Sequence, residues 1–362
     1  MICPKCGDEG AKRNGAGRGL CPAGNHTFTI RPDPGALQPI PDGYMAKGVS
    51  TLVGPDGSIK AQWIKTTADM ERQRELQLAA IDAMAADLPR VAPRKATGAW
   101  RQDLLTVYPI GDPHVGMYSW AAETGDDWDL AIAEHTHCAA MAELVQAAPA
   151  TETAVVLNGG DLFHYDSMAA VTPRSGHFLD ADGRYAKMIA VGVKIMRQCI
   201  ESALAKHKNV HVINLPGNHD ETGALWLSVA LANVYEREPR VTIDTNPSVF
   251  SYYRWGKVLL GAHHGHTCKP EKLPGVMACD RAKDWGETDH RHWLTFHVHH
   301  ESRREYAGVT VESFGTLAGK DAFAANGGWR SGRPMQSIVY HNVHGEVARS
   351  RVCAAMFARE AA

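Results

Sequence analysis

The chain has 362 residues, with 38 Lys and Arg against 40 Asp and Glu, 44% hydrophobic residues and 22% charged ones. That balance excludes disordered, collagen-like and membrane-spanning classes, and a net charge of -2 excludes a uniformly basic nucleic-acid coat. Two counts stand apart: 19 His, the commonest metal ligand and the side chain that titrates near neutrality, and 8 Cys.

Met1 leads straight into a Cys- and Gly-rich stretch with no apolar run of signal-peptide type, and no apolar run reaches spanning length. The expectation is a cytoplasmic, intracellular protein without a membrane partner, whose thiols are free or metal-bound. Within residues 1–30, Cys3-Pro4-Lys5-Cys6 is followed after fourteen residues by Cys21 and then His26, the spacing of a zinc ribbon. One structural zinc on Cys3, Cys6, Cys21 and His26 would supply the core that so short a segment lacks. Residues 1–31 carry five basic and two acidic side chains, which suits contact with DNA or with a protein partner.

Residues 31–98 form a linker with a short β excursion, Val49 to Val53 and Ile59 to Ile64, around Gly54-Pro55-Asp56-Gly57. An amphipathic helix is predicted over Thr67 to Leu88 from Met70, Leu76, Leu78, Ile81 and Met84, closed by Pro89. Residues 99–362 make the main domain. Strands are predicted at Leu104–Ile110, Ala154–Leu157, Val210–Leu215, Val258–Leu260 and Trp293–Phe296, and helices at Leu130–Ala147, Tyr185–His207 and Gly223–Glu236. Gln336–His341 and Glu346–Val352 close the domain as a β hairpin. Cys138, Cys199 and Cys353 fall in apolar patterns and are expected in the core; Arg174, Arg330 and Arg333 are expected as solvated loop charges.

Five of these runs end in polar, metal-capable residues: Asp112-Pro113-His114, Gly160-Asp161-Leu162-Phe163-His164, Gly217-Asn218-His219-Asp220, His263-His264-Gly265-His266 and His297-Val298-His299. In layered α/β folds ligands bind at the carboxyl ends of strands, so the five runs converge on one site. Carboxylate, imidazole and carboxamide together suit Mn, Fe or Zn better than the oxygen-seeking Ca or Mg, and their number exceeds the needs of one ion.

In this joint pattern the sequence resembles the calcineurin-like metallophosphoesterases. The resemblance implies an α/β fold of four layers, two packed β sheets flanked by helices, with two divalent metal ions at the strand ends. It also implies that Asp112, His114 and His299 bind one metal, that Asn218, His264 and His297 bind the other, and that Asp161 bridges them. Among His263, His264 and His266, the family pattern favours the residue directly before Gly265. A hydroxide made at the metal pair would attack phosphorus in line, with His219 as general acid and His164 orienting it. The His three residues beyond Asp161 resembles the DNA-repair exonuclease branch, and the reading is a phosphodiesterase acting as a DNA exo- or endonuclease. A phosphomonoesterase or cyclic-nucleotide phosphodiesterase is the alternative from the same chemistry, and a non-catalytic metal-stabilised module the alternative from another class. Two departures stand out. Phe296 occupies a position where the family has Gly, which predicts less backbone room beside the metals or a shifted strand, and the 63 residues after His299 are too few both to complete the core and to form a separate DNA-capping domain.

Overall fold

The computed structural model describes residues 9–10, 12–13, 18–24, 26–29, 44–55, 59–68, 72, 75, 90–93, 96 and 98–358. The chain divides into two units, Met1–Ala80 and Ile81–Ala362.

In the first unit β1 (Lys12–Arg13), β2 (Arg18–Cys21) and β3 (His26–Thr29) form a three-stranded antiparallel sheet. Cys21 is buried and is the register partner of His26, while Cys3 and Cys6 lie outside the described residues. The β excursion forms a hairpin of β4 (Tyr44–Val53) and β5 (Ile59–Ala68). Thr67 and Ala68 are therefore strand and not the start of the predicted helix. Arg72 and Glu75 are helical and pair at 2.9 Å; Met70, Leu76, Leu78, Ile81 and Met84 lie outside the described residues.

In the second unit the chain runs β6 (Arg101–Ile110), the single turn α1 (Ala121–Thr124), α2 (Leu130–Ala147), β7 (Thr151–Asn158), α3 (Tyr185–Lys206), β8 (Asn209–Asn214), α4 (Glu221–Val234) and β9 (Val241–Ile243). It continues through β10 (Ser251–Trp255), β11 (Val258–His263), α5 (Leu273–Asp280), α6 (Ala282–Glu287), β12 (His290–Thr295), β13 (Ser302–Tyr306) and β14 (Val309–Ser313). The last elements are α7 (Ala322–Asn326), β15 (Pro334–His341) and β16 (Gly345–Cys353). One sheet has the order β16-β15-β6-β7-β8-β9 and the other β10-β11-β12-β14-β13. β6 to β9 are mutually parallel, as are β11, β12 and β14; β15, β16, β10 and β13 pair antiparallel with their neighbours.

Strand alternation sorts the apolar residues into layers. Leu105, Val107, Val155, Leu157 and Ile213 of the first sheet meet Val258, Leu260, Ala262 and Leu294 of the second in a core between the sheets. Tyr108, Ile110, Ala154, Val156, Val210 and Val212 face outward onto α2, α3 and α4. Behind the second sheet, Leu259 and Trp293 pack on Leu273 and Met277 of α5. The result is helix, sheet, sheet, helix, the layered architecture that the resemblance implies. Strands buried on both faces read as continuous apolar runs, which is why β6 and β7 are legible without alternation. Asp129 caps α2 by accepting from Ile132 N at 2.7 Å, and the helix buries Leu130, Ala133, His137, Ala140, Met141 and Leu144. Cys353 is exposed, because β16 is an edge strand. Among the described residues no helix is long and apolar enough to cross a membrane.

Candidate metal centre

The strands that carry the site end level with one another. Ile110 of β6 pairs with Asn158 of β7 and Asn158 with Asn214 of β8; in the other sheet His263 of β11 pairs with Thr295 of β12. The two edges meet where His264 Nδ1 bonds the Gly159 carbonyl at 2.7 Å and the Phe296 ring lies beneath Gly159. A Cβ on Gly159 would fall 2.4 Å from that ring, so the Phe296 side chain fills the core between the sheets and does not crowd the site.

Beyond each strand the backbone turns sharply. Among the described residues, the non-glycine residues with positive φ are Asp112 (45°), His114 (43°), Asp161 (52°), His297 (74°) and His299 (54°). Such a conformation costs an L residue about 1–3 kcal/mol and persists only where its surroundings enforce it. All five are ligands expected from the sequence, and the twist folds their side chains back over the strand ends.

Two clusters result. In the first, His114 Nε2 faces His299 Nε2 at 3.1 Å, and His299 Nε2 lies 3.4 Å from Asp112 Oδ1. In the second, His264 Nε2 lies 3.2 Å from Asp161 Oδ2 and 3.2 Å from Asn218 Oδ1, with His297 completing the set. His264 Nε2 is also 3.9 Å from Asp112 Oδ1, which joins the clusters. Ring nitrogens and carboxylates that confront one another, with Asp112, His114, Asp161 and His264 fully buried, need positive charge between them. This donor set fits two divalent cations, one per cluster, with Asp161 in the second.

The electrostatics carry the same demand. Burial, then the charges of His219 and His299, hold the His114 imidazole well below its ordinary pKa. Burial and His219 push His164 down to about 3. Burial works to raise Asp161, but the charge and hydrogen bond of His264 outweigh it and keep the carboxyl ionised. In return Asp161 overcomes the burial of His264 and raises it to about 10. A proton or a cation is needed at that contact.

Beside the clusters, His114 Nδ1 meets His164 Nδ1 at 3.2 Å, and His164 Nε2 is buried without a hydrogen-bond partner. His219 is half-buried and stacks on His164 with ring centroids 5.5 Å apart; its Nδ1 bonds the His164 carbonyl at 2.8 Å and its N–H donates to Asp161 Oδ1 at 2.8 Å. His263 stays outside the clusters: its Nδ1 accepts from Gly265 N at 2.9 Å and its Nε2 meets Thr267 Oγ1 at 3.0 Å. His266 packs 5.2 Å from the His264 ring with a buried, unpartnered Nδ1.

Several supporting residues have no role in the sequence reading. Asp220, fully buried, accepts from the N–H groups of Asp161, Gly217 and Phe163 at 3.0–3.1 Å and so fixes the loops that carry Asp161 and Asn218. Burial and the charge of Asp161 push its pKa up to about 7. The signal was present, since Asp220 stands in the Gly217-Asn218-His219-Asp220 run at the N-cap of α4. Thr316 Oγ1 donates to the Asp112 carbonyl at 2.6 Å from a loop with no motif. Gly217 is required sterically, for a Cβ there would lie 2.0 Å from Asp161 Oδ1. Arg333 is not a solvated charge; it bonds Asp126 and the Leu317 carbonyl at 2.7–2.9 Å.

A family model of calcineurin-like phosphoesterases matches residues 105–325, and the chain belongs to that family. Among solved structures it is similar to Vps29 from Entamoeba histolytica complexed with zinc, at 14% identity and a TM-score of 0.31, covering 69% of this chain and 99% of that one. It is also similar to a predicted phosphoesterase from Streptococcus pneumoniae, at 11% identity and a TM-score of 0.28, covering 66% of this chain and 84% of that one. No curated protein matches the sequence.

Proposed function

We propose that the chain is a two-metal phosphodiesterase of the DNA nuclease type. The observation that carries this reading is the pair of ligand clusters, Asp112 with His114 and His299 and Asp161 with His264 and His297, joined by the approach of His264 to Asp112, with the His164–His219 pair stacked alongside. Asp112, His114 and His299 would hold one ion, Asn218, His264 and His297 the other, and Asp161 both; Mn, Fe or Zn suits these donors. Bound divalent ions supply Lewis acidity toward a phosphoryl oxygen and lower the pKa of water.

The chain itself handles the proton. The His164 carbonyl can only accept, so His219 Nδ1 carries a hydrogen, and the second proton of the imidazolium sits on Nε2. From Nε2 it passes to the leaving oxygen. The stacked His164 ring and the Nδ1 bond to the His164 carbonyl hold the His219 ring in place, and the backbone N–H bond to Asp161 holds its main chain. A His at position 164 supports the DNA-repair exonuclease branch. We further propose a structural zinc on Cys3, Cys6, Cys21 and His26, a ribbon that contacts DNA or a protein partner, and a cytoplasmic location.

The test is hydrolysis of bis-p-nitrophenyl phosphate, p-nitrophenyl phosphate and labelled single- and double-stranded DNA with Mn. The proposal expects diesters and DNA to be cleaved in preference to the monoester; preference for the monoester would overturn it. His219→Ala should lower turnover by about 10²–10⁴-fold with metal content unchanged. Loss of the metals in that variant would contradict the acid role.

A further inference from the structure

Residues 169–181 form an arm beside the metal centre. Its limbs join at the Val171–Phe178 bridge, with Leu179 N donating to Ala170 O at 3.0 Å. Thr172 closes the tip, its carbonyl accepting from Gly176 N at 2.9 Å and its hydroxyl from His177 N at 3.0 Å. The base is anchored by a Met117–Ala181 bridge and by Asp182 N donating to Gly116 O at 2.9 Å. The arm is thus ordered by its own main chain.

Alternation along the return limb turns Leu179 and Ala181 toward the helical core and Phe178 to the opposite face. Phe178 is 94% exposed, so its ring contributes nothing to the core. Arg174 stands at the tip and pairs at 2.6 Å with Glu221, in the first turn of the helix that follows His219; its side chain is 68% exposed and the pair is readily exchanged for another anion. The Asp180 carbonyl accepts from Tyr118 N at 3.1 Å, four residues beyond His114. An aromatic face and an exchangeable guanidinium are therefore carried on one ordered arm that is held to the segment after His114 and to the first turn of the helix after His219.

We propose that Arg174 and Phe178 form a subsite for single-stranded DNA, in which Arg174 binds a phosphate neighbouring the scissile one and Phe178 stacks on an unpaired base. The subsite deepens the nuclease reading above and rests on it. A guanidinium fork matches two phosphate oxygens, and a phenyl ring stacks on any base without reading its identity. Duplex bases hide their faces, so the subsite selects a single strand.

The experiment is anisotropy of a fluorescein-labelled single-stranded oligonucleotide with phosphorothioate linkages, which resist cleavage, with the Mn-loaded full-length protein, and with the matching duplex as a second arm. The single strand should bind tighter than the duplex. Phe178→Ala should raise Kd about tenfold and Phe178→Tyr should restore it. Arg174→Ala should raise Kd about fivefold and reduce the salt slope by about one. Val347→Ala, an exposed apolar residue on β16, sets the background. Unchanged Kd in both Phe178→Ala and Arg174→Ala, equal affinity for the duplex, or no binding by the wild type would overturn the subsite. Hydrolysis of bis-p-nitrophenyl phosphate, which has no base to stack, reads the diesterase proposal separately.

Discussion

At the end of the sandwich where β7 begins, His207 is 1% exposed and both its ring nitrogens are taken. Thr151 N donates to Nδ1 at 3.2 Å, so the hydrogen is on Nε2, which meets the Tyr108 hydroxyl at 2.8 Å. At the other end His114 and His264 are buried as deeply, but both nitrogens of His114 face other imidazoles and Nε2 of His264 faces a carboxylate, across 3.1–3.2 Å. The first arrangement is complete as a neutral ring within the protein. The second is complete only with positive charge added. Burial and residue type are the same at the two ends; what separates a packing histidine from a ligand is the partner each nitrogen faces, together, at His114, with the positive φ of the backbone that aims it.

The largest expected effect that would break this contrast is at Gly217. In Gly217→Ala the new methyl collides with Asp161, and the variant should lose Mn binding and diester hydrolysis; retention of both would show that Asp161 is not held where the account needs it. Next comes Asp220→Asn, which removes charge but keeps the size of the group that ties three N–H donors together. A decrease of about 10–100-fold in metal affinity is expected by titration calorimetry. Unchanged affinity would reduce Asp220 to a packing residue.

The smallest effect sharpens the other half of the comparison. Burial lowers His207 to about 4 in the folded protein, against about 6.5 unfolded. The unfolded chain binds the proton first, so the stabilisation is complete above pH 6.5 and is lost as pH falls toward 4, by roughly 2–3 kcal/mol at most. Urea unfolding across that window should show a shallower pH slope in His207→Gln than in the wild type.

Much of this contrast is legible before folding. Strands buried on both faces read as unbroken apolar runs, and each run stops where polar ligands begin, so β6, β7, β8, β11 and β12 and the residues after them stand out together. Helix α2 is equally plain, because its buried positions recur with helical spacing. Less legible are β10 and β13, edge strands whose Ser-Tyr-Tyr-Arg-Trp and Ser-Arg-Arg-Glu-Tyr carry no apolar run. The direction of Phe296 and the roles of Gly217 and Thr316 depend on contacts between segments distant in the chain, which no local pattern encodes. His263, His264 and His266 are alike as letters; their partners in space distinguish them.

Asp161 is the residue on which the proposal turns, since its carboxylate is the one proposed to be shared by the two ions. Titration of Mn into the metal-stripped full-length protein by calorimetry tests it most directly. The account predicts two ions per wild-type chain and strongly weakened binding of both in Asp161→Asn, whereas equal stoichiometry and affinity in the two proteins would contradict it.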